Sequence, residues 1–248
     1  MRKVMVVQHV AHEPLGTLLP MLKAAGLRIR HVNFGRHPEL EPKLESYNGL
    51  IVLGGPMGVY EADRYSHLKT EMRLIEAALK KNIPVLGLCL GAQLIAHVLG
   101  GAVRKAPEWE LGWYPLKLTA HGEKDPLLKD FKSGERVFQM HQDMFETPKD
   151  AIHLAATELV PGQAIRYGEK VYGLQFHLEA DQAMIRRWLH RPEHQANLKA
   201  SQGKFEQAGI EAETARYIER SLALSQSAFA QFISLFNLPE RPELLGSR

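Results

Sequence analysis

The stretch that most limits the fold is Pro84-Val85-Leu86-Gly87-Leu88-Cys89-Leu90-Gly91-Ala92-Gln93. A short apolar run leads into a glycine-bracketed cysteine. An amphipathic segment follows, with Leu94, Ile95, Val98 and Leu99 at helical spacing and Gly100-Gly101 as a stop. This reads as strand, sharp turn, helix, with Cys89 at the turn. A cysteine there sits at a helix N-terminus, where unpaired N–H groups and the helix dipole favour a thiolate. Gly87 and Gly91 suit a turn too tight for a side chain. The arrangement is the cysteine counterpart of the Gly-x-Ser-x-Gly nucleophile elbow.

The flanking sequence repeats the same alternation. Lys3 to Val10 reads as a buried strand, Leu15 to Ala25 as a helix closed by Gly26, and Leu27 to Val32 as a second strand. Leu50 to Leu53 is an apolar run ending at Gly54-Gly55-Pro56. His67 to Lys81 is a helix with Leu68, Met72, Ile75 and Leu79 on its buried face and Glu71, Arg73, Lys80 and Lys81 off it. Alternating strands and helices predict an α/β fold, a mostly parallel sheet flanked by helices. Ligands of such sheets bind beyond the carboxyl ends of the strands, where Gly54-Gly55-Pro56 and Cys89 both fall.

After Gly101 the texture changes to antiparallel or mixed strands. The candidates are Gly112 to Thr119, Arg136 to Met140, Ile152 to Ala156, Gln163 to Tyr167 and Val171 to Phe176. A helix is expected over Gln182 to Leu189, a polar loop over Arg191 to Gly203, and a long helix over Glu213 to Phe236. The apolar stripe of that last helix suits either a homodimer surface or the fold's own cover.

Composition narrows the function class. Of 248 residues, 45% are hydrophobic and 24% charged, with a formal net charge of +3, a weak and scattered excess that gives no nucleic-acid signature. The single cysteine excludes an intrachain disulfide framework and a multi-thiolate metal site. No run suits a membrane span or a signal h-region, so a cytoplasmic protein is expected. His9, His12 and Glu13 cluster after the first strand, but without further ligands at matched spacing they suit the pocket wall better than a metal. No metal and no cofactor are expected. Trp109, Trp113 and Tyr114 suit either the pocket wall or simple packing, and packing is the expected role.

Cys89, His177 and Glu179 form the central constellation. His177 can take the thiol proton. Residues two apart in an extended segment project to one side, so Glu179 can brace the far nitrogen of His177 while Leu178 points away and packs. Oxyanion donors are available in the backbone N–H groups of Leu90 and Gly55.

Three segments together resemble class I, triad-type glutamine amidotransferases: Gly54-Gly55-Pro56, Gly87-Leu88-Cys89-Leu90-Gly91-Ala92-Gln93 and Gln175-Phe176-His177-Leu178-Glu179. The likeness is greatest to the amidotransferase domain of GMP synthase and its stand-alone relatives, and it covers about residues 3 to 190. It implies a flavodoxin-like amidotransferase architecture over 1–190, with extra antiparallel strands, and a C-terminal helical extension over 191–248. It implies that Cys89 attacks the glutamine carboxamide, that His177 protonates the leaving ammonia, and that a γ-glutamyl thioester is hydrolysed. Gln93 would contact bound glutamine, and His141, Gln142 and Asp143 resemble the family's His-x-Asp loop, which lends backbone contacts. A solvated loop histidine is an equal reading of His141.

Two departures stand out. Leu178 replaces the family's usual proline, and Met57-Gly58-Val59-Tyr60 replaces an acidic or serine-containing turn. No synthetase phosphate loop, Walker A or dinucleotide fingerprint is present, so an ammonia acceptor is expected on a separate partner. Two alternatives follow: a γ-glutamyl peptidase acting on γ-glutamyl amides, and a non-catalytic amidotransferase-like binding module.

Overall fold

The structure is a computed structural model that describes residues 2–201 and 203–237. Residues 238–248 of the expected C-terminal extension lie outside the described residues.

Apolar runs with no polar face make strands that must be buried on both sides. The strands β1 (Lys3–Gln8), β2 (Arg28–Asn33), β3 (Gly49–Val52), β4 (Val85–Leu88) and β10 (Val171–Leu174) are all parallel. They continue into antiparallel β9 (Ala164–Tyr167), β8 (Ile152–Ala156) and β6 (Lys117–Leu118). The sheet runs in the order β2-β1-β3-β4-β10-β9-β8-β6. Alternate side chains serve two cores. Val4, Val6, Leu86 and Leu88 face one with Leu18 and Leu22 of α1 (Leu18–Ala24). Met5, Val7, Leu50 and Val52 face the other with Leu68 and Ile75 of α2 (His67–Lys81) and Leu94 and Ile95 of α3 (Leu90–Val98). Asn82 ends α2 in the left-handed conformation at φ 52°.

Three expectations are corrected. The strand expected from Gly112 begins at Val103: β5 (Val103–Pro115) pairs antiparallel with β7 (Arg136–Phe145) as a separate two-stranded sheet, with a register shift between Lys105 and Glu110. Arg191 to Gly203 is not all loop, because α5 (Pro192–Ala200) starts on a proline at its first turn. Glu71 does not face solvent. It is fully buried with His67, 3% exposed, on the same side of α2.

The helix α4 (Gln182–Leu189) is capped by Asp181, whose carboxylate accepts from the Met184 N–H at 2.7 Å. The final helix α6 (Gln207–Ser234) starts six residues before the expected Glu213. Its Leu224, Ala228, Phe229 and Phe232 join the core shared with α1, and its Ile210 and Ile218 pack with Trp113, Phe138 and Trp188. No described helix is long and apolar enough to cross a membrane.

Candidate active site

Cys89 lies between β4 and α3 with φ 51° and ψ −107°, one of three described non-glycine residues at positive φ. Its N–H donates to the Leu174 carbonyl at 2.8 Å, which ties the turn to β10. Its carbonyl accepts from the Gln93 N–H at 3.1 Å, which starts the helix. A Cβ on Gly91 would collide with the Val52 carbonyl oxygen, and one on Gly87 would collide with the Gly91 carbonyl. The two glycines therefore let α3 descend onto the sheet and hold the thiol at its rim.

Beyond β10 the chain carries His177 and Glu179. The His177 N–H donates to the Phe138 carbonyl at 2.9 Å, and the Glu179 carbonyl accepts from the Thr17 N–H at 2.9 Å, so both backbones are fixed. Nδ1 of His177 lies 2.8 Å from Oε1 of Glu179. A carboxylate only accepts, so Nδ1 carries the proton and Nε2 is the remaining nitrogen. That Nε2 is buried and has no hydrogen-bond partner. Burial opposes charge on His177, but the Glu179 carboxylate and the nearby Cys89 sulfur outweigh it and hold the imidazole well above its ordinary pKa. Trp188 closes over the ring edge-on, with centroids 4.9 Å apart. Leu178 points into the core, as its alternation requires.

A cavity of about 660 Å³ opens in front of the thiol. Gly55, Cys89, Gln93, His141, Gln142 and Asp143 all reach its wall, while Leu90, His177 and Glu179 are buried behind it. Of the early cluster, His12 and Glu13 line the cavity and His9 does not. Trp109 lines it too, whereas Trp113 packs inside and donates from Nε1 to Thr214 at 2.9 Å. The divergent Met57 to Tyr60 turn puts the Tyr60 hydroxyl 3.1 Å from both carboxylate oxygens of Asp143 on the cavity rim. Burial, then the Asp143 charge, pushes the Tyr60 hydroxyl up to about 12.

His141 is not a solvated loop residue. It lies on β7, 4% exposed, with Nδ1 2.9 Å from the Asp143 carbonyl and Nε2 3.1 Å from both Gln139 and the buried Glu110. Gln93 reaches the same Asp143 carbonyl and Gln175 Oε1, each at 3.1 Å. Gln175 in turn donates to Cys89 Sγ at 3.5 Å. Buried polar groups need partners, and here one chain of them links Glu110 to the thiol. Neither contact is marked in the sequence: Gln175 opens the segment that ends in His177-Leu178-Glu179 with no role of its own assigned, and Glu110 lies in a stretch with no strand signal. Arg191 at the N-cap of α5 and the α5 residues His194 and Asn197 also line the cavity wall, and nothing marks them in the sequence because that stretch reads as loop.

Residues 17–188 match the profile of the family Glutamine amidotransferase class-I. The glutamine amidotransferase-like protein YfeJ of Salmonella typhimurium is 36% identical over 180 residues, 71% of this chain and 75% of that protein. The glutamine-hydrolysing GMP synthase of Nitratiruptor is 37% identical over 171 residues, 66% of this chain but only 32% of the synthase. The crystal structure of a glutamine amidotransferase from Thermotoga maritima superposes with a TM-score of 0.83 at 31% identity, covering 94% of this chain and 98% of that one. The chain belongs to the class I glutamine amidotransferase family.

Proposed function

We propose that this protein hydrolyses the side-chain carboxamide of glutamine through a Cys89–His177–Glu179 triad. The observation that carries the reading is a buried His–Glu pair with its outer nitrogen unpartnered, next to a thiol held on a strained turn at a helix N-terminus. Nε2 of His177 takes the thiol proton as the Cys89 sulfur adds to the amide carbon. As the first residue of α3, Leu90 has an N–H with no intrahelical acceptor, and with the Gly55 N–H it would hold the oxyanion. The C–N bond then breaks, His177 gives its proton to the departing nitrogen, and a γ-glutamyl thioester remains. Water attacks the thioester, His177 takes the water's proton, and glutamate leaves with the thiol restored. In this reading the released ammonia passes to an acceptor on a separate partner.

A second reading has its own support. The cavity falls within the roughly 300–1,000 Å³ of pockets that hold drug-sized ligands, more than free glutamine needs, and α5 contributes to its wall. A γ-glutamyl amide with a substituent on nitrogen would use that space by the same chemistry.

Glutamate release from glutamine and from a γ-glutamyl dipeptide separates the two. Release from glutamine supports the amidotransferase reading, and release from the dipeptide alone supports the second. Cys89→Ala is expected to lose turnover by at least about 10⁴-fold on either substrate, in line with nucleophile removal elsewhere. Retained turnover would sink both readings.

A further inference from the structure

Behind the Gly54-Gly55-Pro56 loop lies a set of buried groups that the hydrolysis described above does not use. His9 follows β1, and His67 and Glu71 lie one turn apart on α2. Nε2 of His9 is 2.8 Å from one Glu71 carboxylate oxygen, and Nδ1 of His67 is 2.8 Å from the other. Nδ1 of His9 is 2.8 Å from the Gly54 carbonyl oxygen. These ligand-type atoms lie within 4.8 Å of one another, a spacing that could hold a metal ion. Each is instead engaged with another member or with the loop.

The proton positions follow from the partners. A carbonyl oxygen only accepts, so Nδ1 of His9 carries a proton. An ionised Glu71 also only accepts, so Nε2 carries one as well, and the ring is an imidazolium against a carboxylate. Burial alone would disfavour both charges, but the mutual attraction outweighs it: His9 is raised and Glu71 lowered from their ordinary pKa values. The far end is immobilised by His67, which stacks on Phe34 with centroids 5.2 Å apart and planes 13° apart.

The Gly54 carbonyl and the Gly55 N–H are opposite ends of one planar peptide group. A cationic donor on the carbonyl fixes the direction of the N–H and draws electron density away from it, which strengthens it as a donor. The fit is close. A Cβ on Gly55 would lie 2.9 Å from Cγ of His9 and 3.0 Å from Cδ2 of Leu90.

We propose that His67, Glu71 and His9 form a buried relay that orients and polarises the Gly54–Gly55 peptide, making the Gly55 N–H an oxyanion donor to the acyl-transfer site. The proposal rests on the thiol acyl-transfer reading above. All three are positioning residues, acting through the loop and not on the substrate.

Two variants of His9 divide its two hydrogen bonds. Asparagine places an amide N–H where Nδ1 sits, and glutamine reaches instead toward Glu71. His9→Gln is expected to lower kcat for glutamate release about 10²-fold with KM held within about twofold, as for loss of an oxyanion donor, while His9→Asn stays within about tenfold of wild type. Alkylation of Cys89 by iodoacetamide forms no oxyanion, so its rate should match wild type in both. Equal losses in the two variants, or a loss in KM or alkylation in place of kcat, would overturn the donor role. The wild-type protein supplies a readout that needs neither variant nor activity. With ¹⁵N-histidine and ¹³C-carbonyl glycine labelling, both His9 ring nitrogens should be protonated, with coupling across the hydrogen bond to the Gly54 carbonyl. An unprotonated Nδ1 would overturn the relay. A wild type inert toward both substrates would fail the acyl-transfer reading and the donor role with it, while the nitrogen resonances would still decide the relay.

Discussion

At residue scale, Cys89 is placed by strain as much as by packing. Its φ of 51° with ψ of −107° is a region that side chains with a Cβ avoid, at a cost of about 1–3 kcal/mol. Glycine relieves that cost but adds about 0.5–1 kcal/mol of unfolded-state freedom. Comparing Cys89→Gly with Cys89→Ala therefore isolates the strain, since neither keeps the sulfur. The glycine variant is expected to be more stable by about 1 kcal/mol, a rise in Tm of roughly 2–4 °C for a chain of this size. An alanine variant as stable as the glycine variant would mean that the elbow stores no strain. Cys89 on its elbow, the His177–Glu179 pair and Gly55, which the structure gathers at the cavity, are each marked locally in sequence, by bracketing glycines or by an i, i+2 pair. The Gln175 contact to the thiol and the Glu71 bridge between two histidines are not. Both are long-range, 86 and 62 residues apart in sequence, and Glu71 sits on α2 where a charged residue reads as solvent-facing.

At element scale, α5 shows why the second half of the chain was harder to read. Its nine residues, Pro-Glu-His-Gln-Ala-Asn-Leu-Lys-Ala, offer Leu198 as the only buried side chain among those described, so no apolar period marks a helix. Polar contacts hold it, including Gln195 Nε2 to the Leu189 carbonyl at 2.5 Å and to Gln207 at 2.6 Å. The strand β5 was half hidden for a related reason: Pro107, four charged residues and a register shift break its alternation. A helix with so little apolar support should respond to charge. His12 meets His194 of α5 edge-on at 6.4 Å. Burial, then the Arg191 charge, holds His12 down to about 4, against a weaker opposing pull from Glu193 and with His194 adding to the repulsion. His194 is itself lowered, by burial first. A histidine depressed in the folded state binds fewer protons there than when released. Stability is therefore full above the ordinary value of 6.5 and is lost as pH falls toward about 4. Amide exchange over residues 192–200, corrected for intrinsic rates, should quicken between about pH 7 and pH 5, and less so in His12→Gln. Flat protection across that range would contradict this account of α5.

At the scale of the whole molecule, α6 joins two cores that the sheet alone would leave apart. Its C-terminal half fills the core on the α1 face with Phe229 and Phe232, both fully buried. Its N-terminal half puts Ile210 and Ile218 against the residues of the small β5–β7 sheet and α4, and Thr214 accepts the Trp113 indole N–H. His141 and Asp143 stand on β7, and His177 packs under Trp188 of α4, so the cavity wall depends on that second core being docked. The apolar stripe read from sequence is thus turned inward over much of its length, while Leu222 remains 37% exposed. Phe229→Ala removes a buried ring from the larger core and is expected to cost about 3–5 kcal/mol, roughly 6–20 °C in Tm at about 2–4 °C per kcal/mol. Leu222→Ala on the same helix should change stability by no more than about 0.5 kcal/mol. Thermal unfolding of the two variants checks the contrast. If Leu222→Ala proves as damaging as Phe229→Ala, the outer face of α6 is covered in solution, and the stripe serves a partner as well as the fold.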